Sequence, residues 1–395
     1  MRRLEVEAFG PIKRADIEFG DLTVLVGPQA SGKSLFVQLF KAVEDAGAIR
    51  SELKNYGFEW LHGSDPVSDY CSLYFGGGLQ HLVQPQTLIR RDGRLIDFKT
   101  VAKPGGRAAA DETTFLVPVQ RVLVLQDGWP KPFMGYSVGD PYSMRRFSDS
   151  LRHLMEKGMG STEEEPIFPR PRRMKSELQD VVDESIYIGA KLILETEGLR
   201  KRIMLAPRKS APALPYSAWS AGQREFTPLL LGLYWLMPPA KVARRGTLAT
   251  VIIEEPEMGL HPKAIVSFGL LVLELLQRGY RVILSTHSPV ILDLVWAIRE
   301  LRQVKVKPKR VMKALAKIFG LEHPSWQIQR ILESAMTKEF RTYFFDRRPR
   351  GVVVRDISSL DPGDADEAIA GWGGLSGFSG QIAQIVGEAI SEETA

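Results

Sequence analysis

From Arg3 to Phe9 apolar and polar positions alternate with the period of a β-strand, and the alternation stops at Gly10-Pro11. Residues 12–19 and 22–26 predict two more strands, the second running straight into a glycine-containing loop. A helix is predicted over 35–55. Residues 70–100 give short β-like runs, broken at Gly76-Gly77-Gly78 and Arg91-Asp92-Gly93. A Gly/Ala/Lys loop at 102–111 precedes a buried strand from Phe115 to Val119 that ends in polar Gln120. Helices are predicted over 141–158 and 174–192, joined by a linker rich in Gly, Pro and Arg at 158–173. Residues 217–235 form a loop entering an apolar helix that must tolerate Pro228. A β-branched strand at 248–253, a helix at 263–277 and an apolar strand at 281–285 complete the regular pattern. Strands alternating with helices predict an α/β fold with a mixed, largely parallel sheet and an antiparallel β part at the N-terminus. The sequence shows no internal repeat and no sustained heptads.

After residue 300 the character changes. Lys305, Lys307, Lys309 and Arg310 form a cationic run, one more strand is predicted near 351–354, and an acidic turn runs from Asp361 to Glu367. A glycine-rich turn around Trp372-Gly373-Gly374 and a short final helix follow. Other cations cluster at Arg170, Arg172, Arg173 and Lys175, and at Arg200, Lys201 and Arg202. The formal net charge of +5 permits nucleic-acid contact without demanding it. The apolar fraction of 44% in 395 residues supports a real core. Cys71 is the one cysteine, so no internal disulfide can form, which suits a reducing, cytoplasmic setting. The N-terminus is charged at once, and no apolar run reaches the roughly 18–20 residues of a membrane span.

Four stretches carry chemistry. Gly27-Pro28-Gln29-Ala30-Ser31-Gly32-Lys33-Ser34 has the form G-x-x-x-x-G-K-S between a strand and a helix. In that context backbone N–H groups and a helix N-terminus cradle phosphates, Lys33 reaches the β- and γ-phosphates, and Ser34 holds Mg²⁺. Ile252-Ile253-Glu254-Glu255-Pro256-Glu257 is a hydrophobic strand ending in carboxylates. Glu254 is the metal-side residue and Glu255 the general base. Ser220-Ala221-Gly222-Gln223 opens a helix and suits a γ-phosphate, although on these residues alone an ordinary serine N-cap is the stronger reading. In Ser285-Thr286-His287-Ser288-Pro289 a strand end presents His287.

Together, and in this order, these stretches resemble the ABC-type ATPases: Walker A at Gly27 to Ser34, signature at Ser220 to Gln223, Walker B at Glu254-Glu255, D-loop at Met258 to Pro262, switch histidine at His287. The runs Glu254 to Pro262 and Ser285 to Pro289 resemble the non-transporter branch that includes RecF, SMC and the OLD AAA-type ATPases. The resemblance implies a P-loop NTPase head, ATP and Mg²⁺ as cofactors, and a head-to-tail homodimer in which each signature completes the partner's site. It also implies a glutamine bridging metal and water, Gln120 by preference and Gln126 as the alternative. Gln29-Ala30 replaces the usual Asn-Gly, Trp219 and Ala221 depart from the signature, and Glu254 stands where most families have Asp.

The chain then divides into an ATPase head over 1–300, with a mainly helical inserted lobe at about 125–212, and an extension over 301–395 packed on or beside it. No glutamate-then-DxD arrangement of a nuclease domain is found; Asp364-Ala365-Asp366 is the only candidate and suits a polar turn better. The reading is an ATP-hydrolysing switch in DNA repair or anti-phage defence, working with DNA or a separately encoded effector and with no membrane. The alternatives are a non-hydrolysing ATP-gated scaffold or a transporter's nucleotide-binding subunit.

Overall fold

A computed structural model describes residues 1–58, 65–103, 111–159, 165–198, 200–208, 211–238 and 244–376. The 102–111 loop and the final helix fall largely or wholly outside these residues. The first alternation folds as a hairpin: β1 (Arg3–Phe9) and β2 (Ile12–Glu18) pair antiparallel, burying Leu4, Val6, Phe9, Ile12, Ala15 and Ile17. β3 (Leu22–Val26), β4 (Val83–Arg91), β5 (Arg94–Leu95) and β6 (Thr114–Val117) follow. Two hairpins, β7 (Leu125–Gln126) with β8 (Trp129–Pro130) and β9 (Lys191–Glu197) with β10 (Arg200–Ala206), stand outside the main sheet. β11 (Thr250–Glu254), β12 (Arg281–Ser285), β13 (Phe340–Arg348) and β14 (Gly351–Asp356) complete it.

The main sheet runs β5-β4-β1-β2-β14-β13-β3-β12-β11-β6. β13, β3, β12, β11 and β6 are mutually parallel, and the β1, β4 and β5 edge is antiparallel. The central strands are apolar on both faces because both faces are covered. Leu22, Val24, Val26, Val251, Ile253, Val282 and Leu284 enter one core; Leu25, Ile252 and Ile283 enter the other. The second core packs under α1 (Lys33–Glu44), α2 (Ala46–Asn55), α3 (Pro66–Phe75) and α4 (Phe98–Ala102). The first is covered by α5 (Tyr142–His153), α6 (Ser176–Val182), α7 (Ala221–Leu236), α8 (Pro262–Gln277), α9 (Pro289–Gln303), α10 (Pro308–Ile318) and α11 (Trp326–Ala335). A short α12 (Glu367–Ala370) lies near the end of the described chain.

Several expectations are corrected. Residues 66–75 are helical, not β: Asp65 caps Val67 N–H at 3.2 Å, Pro66 sits at N1, and Val67, Tyr70, Cys71, Tyr74 and Phe75 line one face. The cap and the helical spacing of the buried positions decide the element. The helix expected through 192 ends at Ile188 and Gly189, both at positive φ, and β9 begins at Lys191. The inserted lobe is therefore helices plus two hairpins. The largest correction concerns 301–395. β13 pairs with β3 and β14 with β2, so this region supplies two interior strands of the sheet rather than an appendage beside it. Its acidic turn serves structure: Asp366 caps α12 and pairs with Arg355, while Asp361 and Asp364 accept the N–H groups of Gly363 and Asp366.

A buried ionic cluster joins the two layers. Lys41 of α1 donates to Asp45 (2.9 Å), Glu112 (3.0 Å) and the Thr114 carbonyl (2.6 Å). Glu112 in turn accepts from Tyr142 and Arg146 of α5, both at 2.8 Å.

Candidate functional site

The carboxyl ends of β3, β12, β11 and β6 lie side by side, and the chemistry-bearing loops leave from these ends. The 27–32 loop joins β3 to α1. Gly27 has φ 145°, and a Cβ there would lie 2.8 Å from the Phe345 carbonyl of β13. Ala30 takes a left-handed φ of 57°, a conformation that glycine adopts at less cost and the side-chain methyl tolerates at about 1 kcal/mol. α1 starts with no side-chain cap and no acidic residue in its first turn, so its N-terminal N–H groups are open to an anion. Pro28, Gln29 and Ala30 are exposed, whereas Ser31 and Lys33 are buried. The Lys33 ammonium donates to the carbonyls of Gly27 (2.7 Å) and Pro28 (3.0 Å) and lies 3.1 Å from His287 Nε2. Burial lowers its pKa to about 8, with Glu255 and Glu257 pulling the other way.

Strand alternation places Glu254 on the α1 face, two residues after Ile252. The Glu254 side chain is fully buried; Oε2 accepts the Val119 N–H at 3.2 Å, and Oε1 has no partner among the described residues. Burial pushes its carboxyl up to about 7, against the opposing effects of the neighbouring Ser34 hydroxyl and the Val119 N–H. Gln120 follows on the same loop, and its Oε1 is likewise buried and unpartnered. Ser34, Glu254 and Gln120 thus present hard oxygen donors, two of them orphaned, which fits Mg²⁺. Gln126, the alternative, sits in β7 opposite Trp129 and lines a groove with Arg200 and Tyr216.

Glu255 has φ 41°, outside the strand geometry of Glu254 before it. Its N–H bonds the Ser285 carbonyl at 2.9 Å, and its carboxylate lies 3.5 Å from His287 Nε2, which holds the carboxyl below its usual range. Glu257, a residue that motif reading leaves without a role, accepts from the Thr286 hydroxyl (2.9 Å) and the His287 N–H (2.5 Å). Arg121 was also missed. Its guanidinium is fully buried and donates to the carbonyls of Glu225, Glu254 and Glu255. The sequence gives no signal for either, since their partners lie far along the chain or on the backbone.

The site therefore gathers Lys33, Ser34, Glu254, Glu255, Gln120 and His287. It does not gather the 220–223 stretch. Among the described residues no hydrogen bond joins Ser220, Ala221, Gly222 or Gln223 to the phosphate loop. Ser220 and Gln223 form a capping box on α7, and Ser220 and Ala221 are exposed. A Cβ at Gly222 would lie 2.8 Å from the Gly259 carbonyl, so this helix start packs on the 258–262 loop of its own chain. Pro228 leaves the Arg224 carbonyl without its helical donor, and the Tyr216 hydroxyl supplies one at 3.3 Å.

Residues 141–293 match a family model described as an AAA domain, putative AbiEii toxin, of a type IV toxin–antitoxin system. The match spans the 220–223 stretch, the Glu254-Glu255 strand end and His287. The matched residues make up about two fifths of the chain. No curated protein matches the chain. Among solved structures, this chain is similar to an Smc head bound to the C-winged helix domain of ScpA, with 12% identity, 91% of this chain and 99% of that one covered, and a TM-score of 0.43. The SMC head domain from Thermotoga maritima gives 12% identity, 90% and 99% coverage and a TM-score of 0.35. An Smc head with an extended coiled coil, bound to the C-terminal domain of ScpA and derived from Pyrococcus furiosus, gives 11%, 90% and 95%, and 0.38. No helix among the described residues is long and apolar enough to cross a membrane.

Proposed function

We propose that this protein binds ATP with Mg²⁺ in the 27–34 loop, closes on the bound ATP as a head-to-tail homodimer, and then hydrolyses it. The observation that supports this most strongly is the convergence of Lys33, His287 and Glu255, linked at 3.1 and 3.5 Å across the ends of neighbouring strands. Lys33 exchanges its loop carbonyls for phosphate oxygens. Ser34, Glu254 and Gln120 would hold the metal, whose charge neutralises phosphate oxygens when bound. Glu255, kept ionised by His287, takes the proton of the attacking water. His287 senses the γ-phosphate. Exposed Ser220 and Ala221, with Gly222, offer N–H and hydroxyl donors to a second copy's γ-phosphate.

The description of the matched model, a toxin–antitoxin component, supports a cellular role in anti-phage defence over DNA repair, with a separately encoded effector. Glu255→Gln tests the chemistry. It should bind ATP as the parent does, lose turnover at least about 100-fold, and accumulate ATP-dependent dimers by light scattering. Parental turnover in this variant rejects the base assignment; a monomer in saturating Mg²⁺-ATP rejects the dimer.

A further inference from the structure

Arg121 has no substrate to touch, yet its position is unusual. It lies directly after Gln120, is 0% exposed, and points its planar fork at three carbonyls from two distant elements. Nε donates to the Glu225 carbonyl in α7 at 3.1 Å. Nη1 donates to the Glu254 carbonyl at 2.8 Å and Nη2 to that of Glu255 at 2.9 Å. Nη2 also pairs with the Glu225 carboxylate at 3.2 Å. A guanidinium fork is rigid, so these groups cannot shift independently. Glu255 sits at a left-handed φ that a glutamate does not choose unaided. Arg121 fixes its carbonyl while Ser285 fixes its N–H, and the carboxylate is thereby aimed at His287.

We infer that Arg121 is a positioning residue that connects the two ATP sites of a dimer, by tying the helix that begins at Ser220 to the turn that carries Glu255. The inference rests on the proposed head-to-tail dimer. In such a dimer α7 of one chain docks on the partner's nucleotide, whereas Glu255 of that same chain works on its own. A docked and ordered α7 holds Glu225, Glu225 holds Arg121, and Arg121 holds the Glu255 peptide in its working conformation. Occupancy of one site therefore aligns the base in the other, and the effect is reciprocal. The Glu225 side chain is 17% exposed against 0% for Arg121, so changing it disturbs the core less than changing Arg121.

The experiment measures steady-state ATP hydrolysis by the full chain across ATP concentrations, together with equilibrium ATP binding. The variants are Arg121→Lys, which loses the fork, and Glu225→Lys, which sets a cation against Arg121 while its own head reaches solvent. The parent should show a Hill coefficient above 1, approaching about 2, the number of sites. Both variants should fall to about 1 and lose about tenfold or more in kcat, because a misplaced base is slow even when its pKa is right. ATP affinity should stay within about threefold of parental, since Lys33 and its loop are untouched. A purely structural Arg121 would leave the Hill coefficient in place. If Arg121→Lys fails to fold, Glu225→Lys carries the test alone. Parental kcat and Hill coefficient in the variants, or a parent that turns over with a Hill coefficient of 1, overturns this inference and leaves the ATPase reading standing. A parent that binds no ATP overturns both.

Discussion

Glu257 receives two hydrogen bonds from the loop that carries His287, so its carboxylate holds the segment that presents the histidine. Glu257→Ala should lower turnover about 10- to 100-fold while leaving ATP affinity near parental, because His287 loses its anchor but Lys33 keeps its loop. Rate and binding measurements separate the two effects; an equal loss in both would put Glu257 at the nucleotide. Motif reading singled out Lys33, Glu254, Glu255 and His287 because each sits at a fixed offset within a short run. It could not find Glu257 or Arg121 as working parts. The hydrogen bonds of Glu257 reach 29 and 30 residues along the chain, and those of Arg121 reach 104 to 134. Only the folded sheet brings such partners together. Ser220 is displayed as the N-cap of α7, its hydroxyl turned to its own helix.

At the scale of elements, the buried cluster of Lys41, Asp45, Glu112 and Arg146 joins the helix after the phosphate loop to α5. Burial alone would raise the pKa of Glu112, but Lys41 and Arg146 outweigh it and hold the carboxyl at about 2. Burial alone would also lower Lys41, yet Glu112 and Asp45 raise it. The sign for Glu112 follows from linkage. An acid with a depressed folded pKa adds stability that is fully present above its unfolded value of about 4.5 and is lost as pH falls toward 2. Urea midpoints should therefore decline below about pH 4.5, with this acid contributing of the order of 3 kcal/mol. Lys41→Met leaves two carboxylates without their buried cation and should cost about 3–5 kcal/mol at pH 7, measured by the same titration. A midpoint unchanged from the parent would deny the cluster its role. Strands with strong apolar runs were legible as elements, and β13 was not. The nine residues Phe340 to Arg348 are more than half polar, and their burial is set by β3 and β14 on either side.

On the whole molecule, the cation clusters sort into two kinds. Arg170 pairs with Glu165, Lys175 with Glu274, and Arg202 with Glu195 and Glu197, so much of that charge is spent internally. Lys305, Lys307, Lys309, Arg310, Lys313 and Lys317, in and just before α10, are exposed and make no ion pair among the described residues. A concentrated face of this kind suits phosphate backbones. Duplex DNA should bind in low salt with a log–log salt slope of about −0.9 per phosphate neutralised, and Lys309→Glu with Arg310→Glu should flatten it. An unaltered slope in that double variant would move DNA elsewhere or off the partner list.

β13 and β14 also bear on how the molecule comes into being. They stand between β2 and β3, yet they arrive from positions 340–356, long after the 27–34 loop has been made. A chain still emerging from the ribosome would hold β3 with one edge bare, and the contact of Phe345 against Gly27 would not yet exist. Such late, long-range pairing makes closure slow. The 27–34 loop is thus framed only after residues 340–356 have been made, and its geometry depends on strands that follow it late in the sequence.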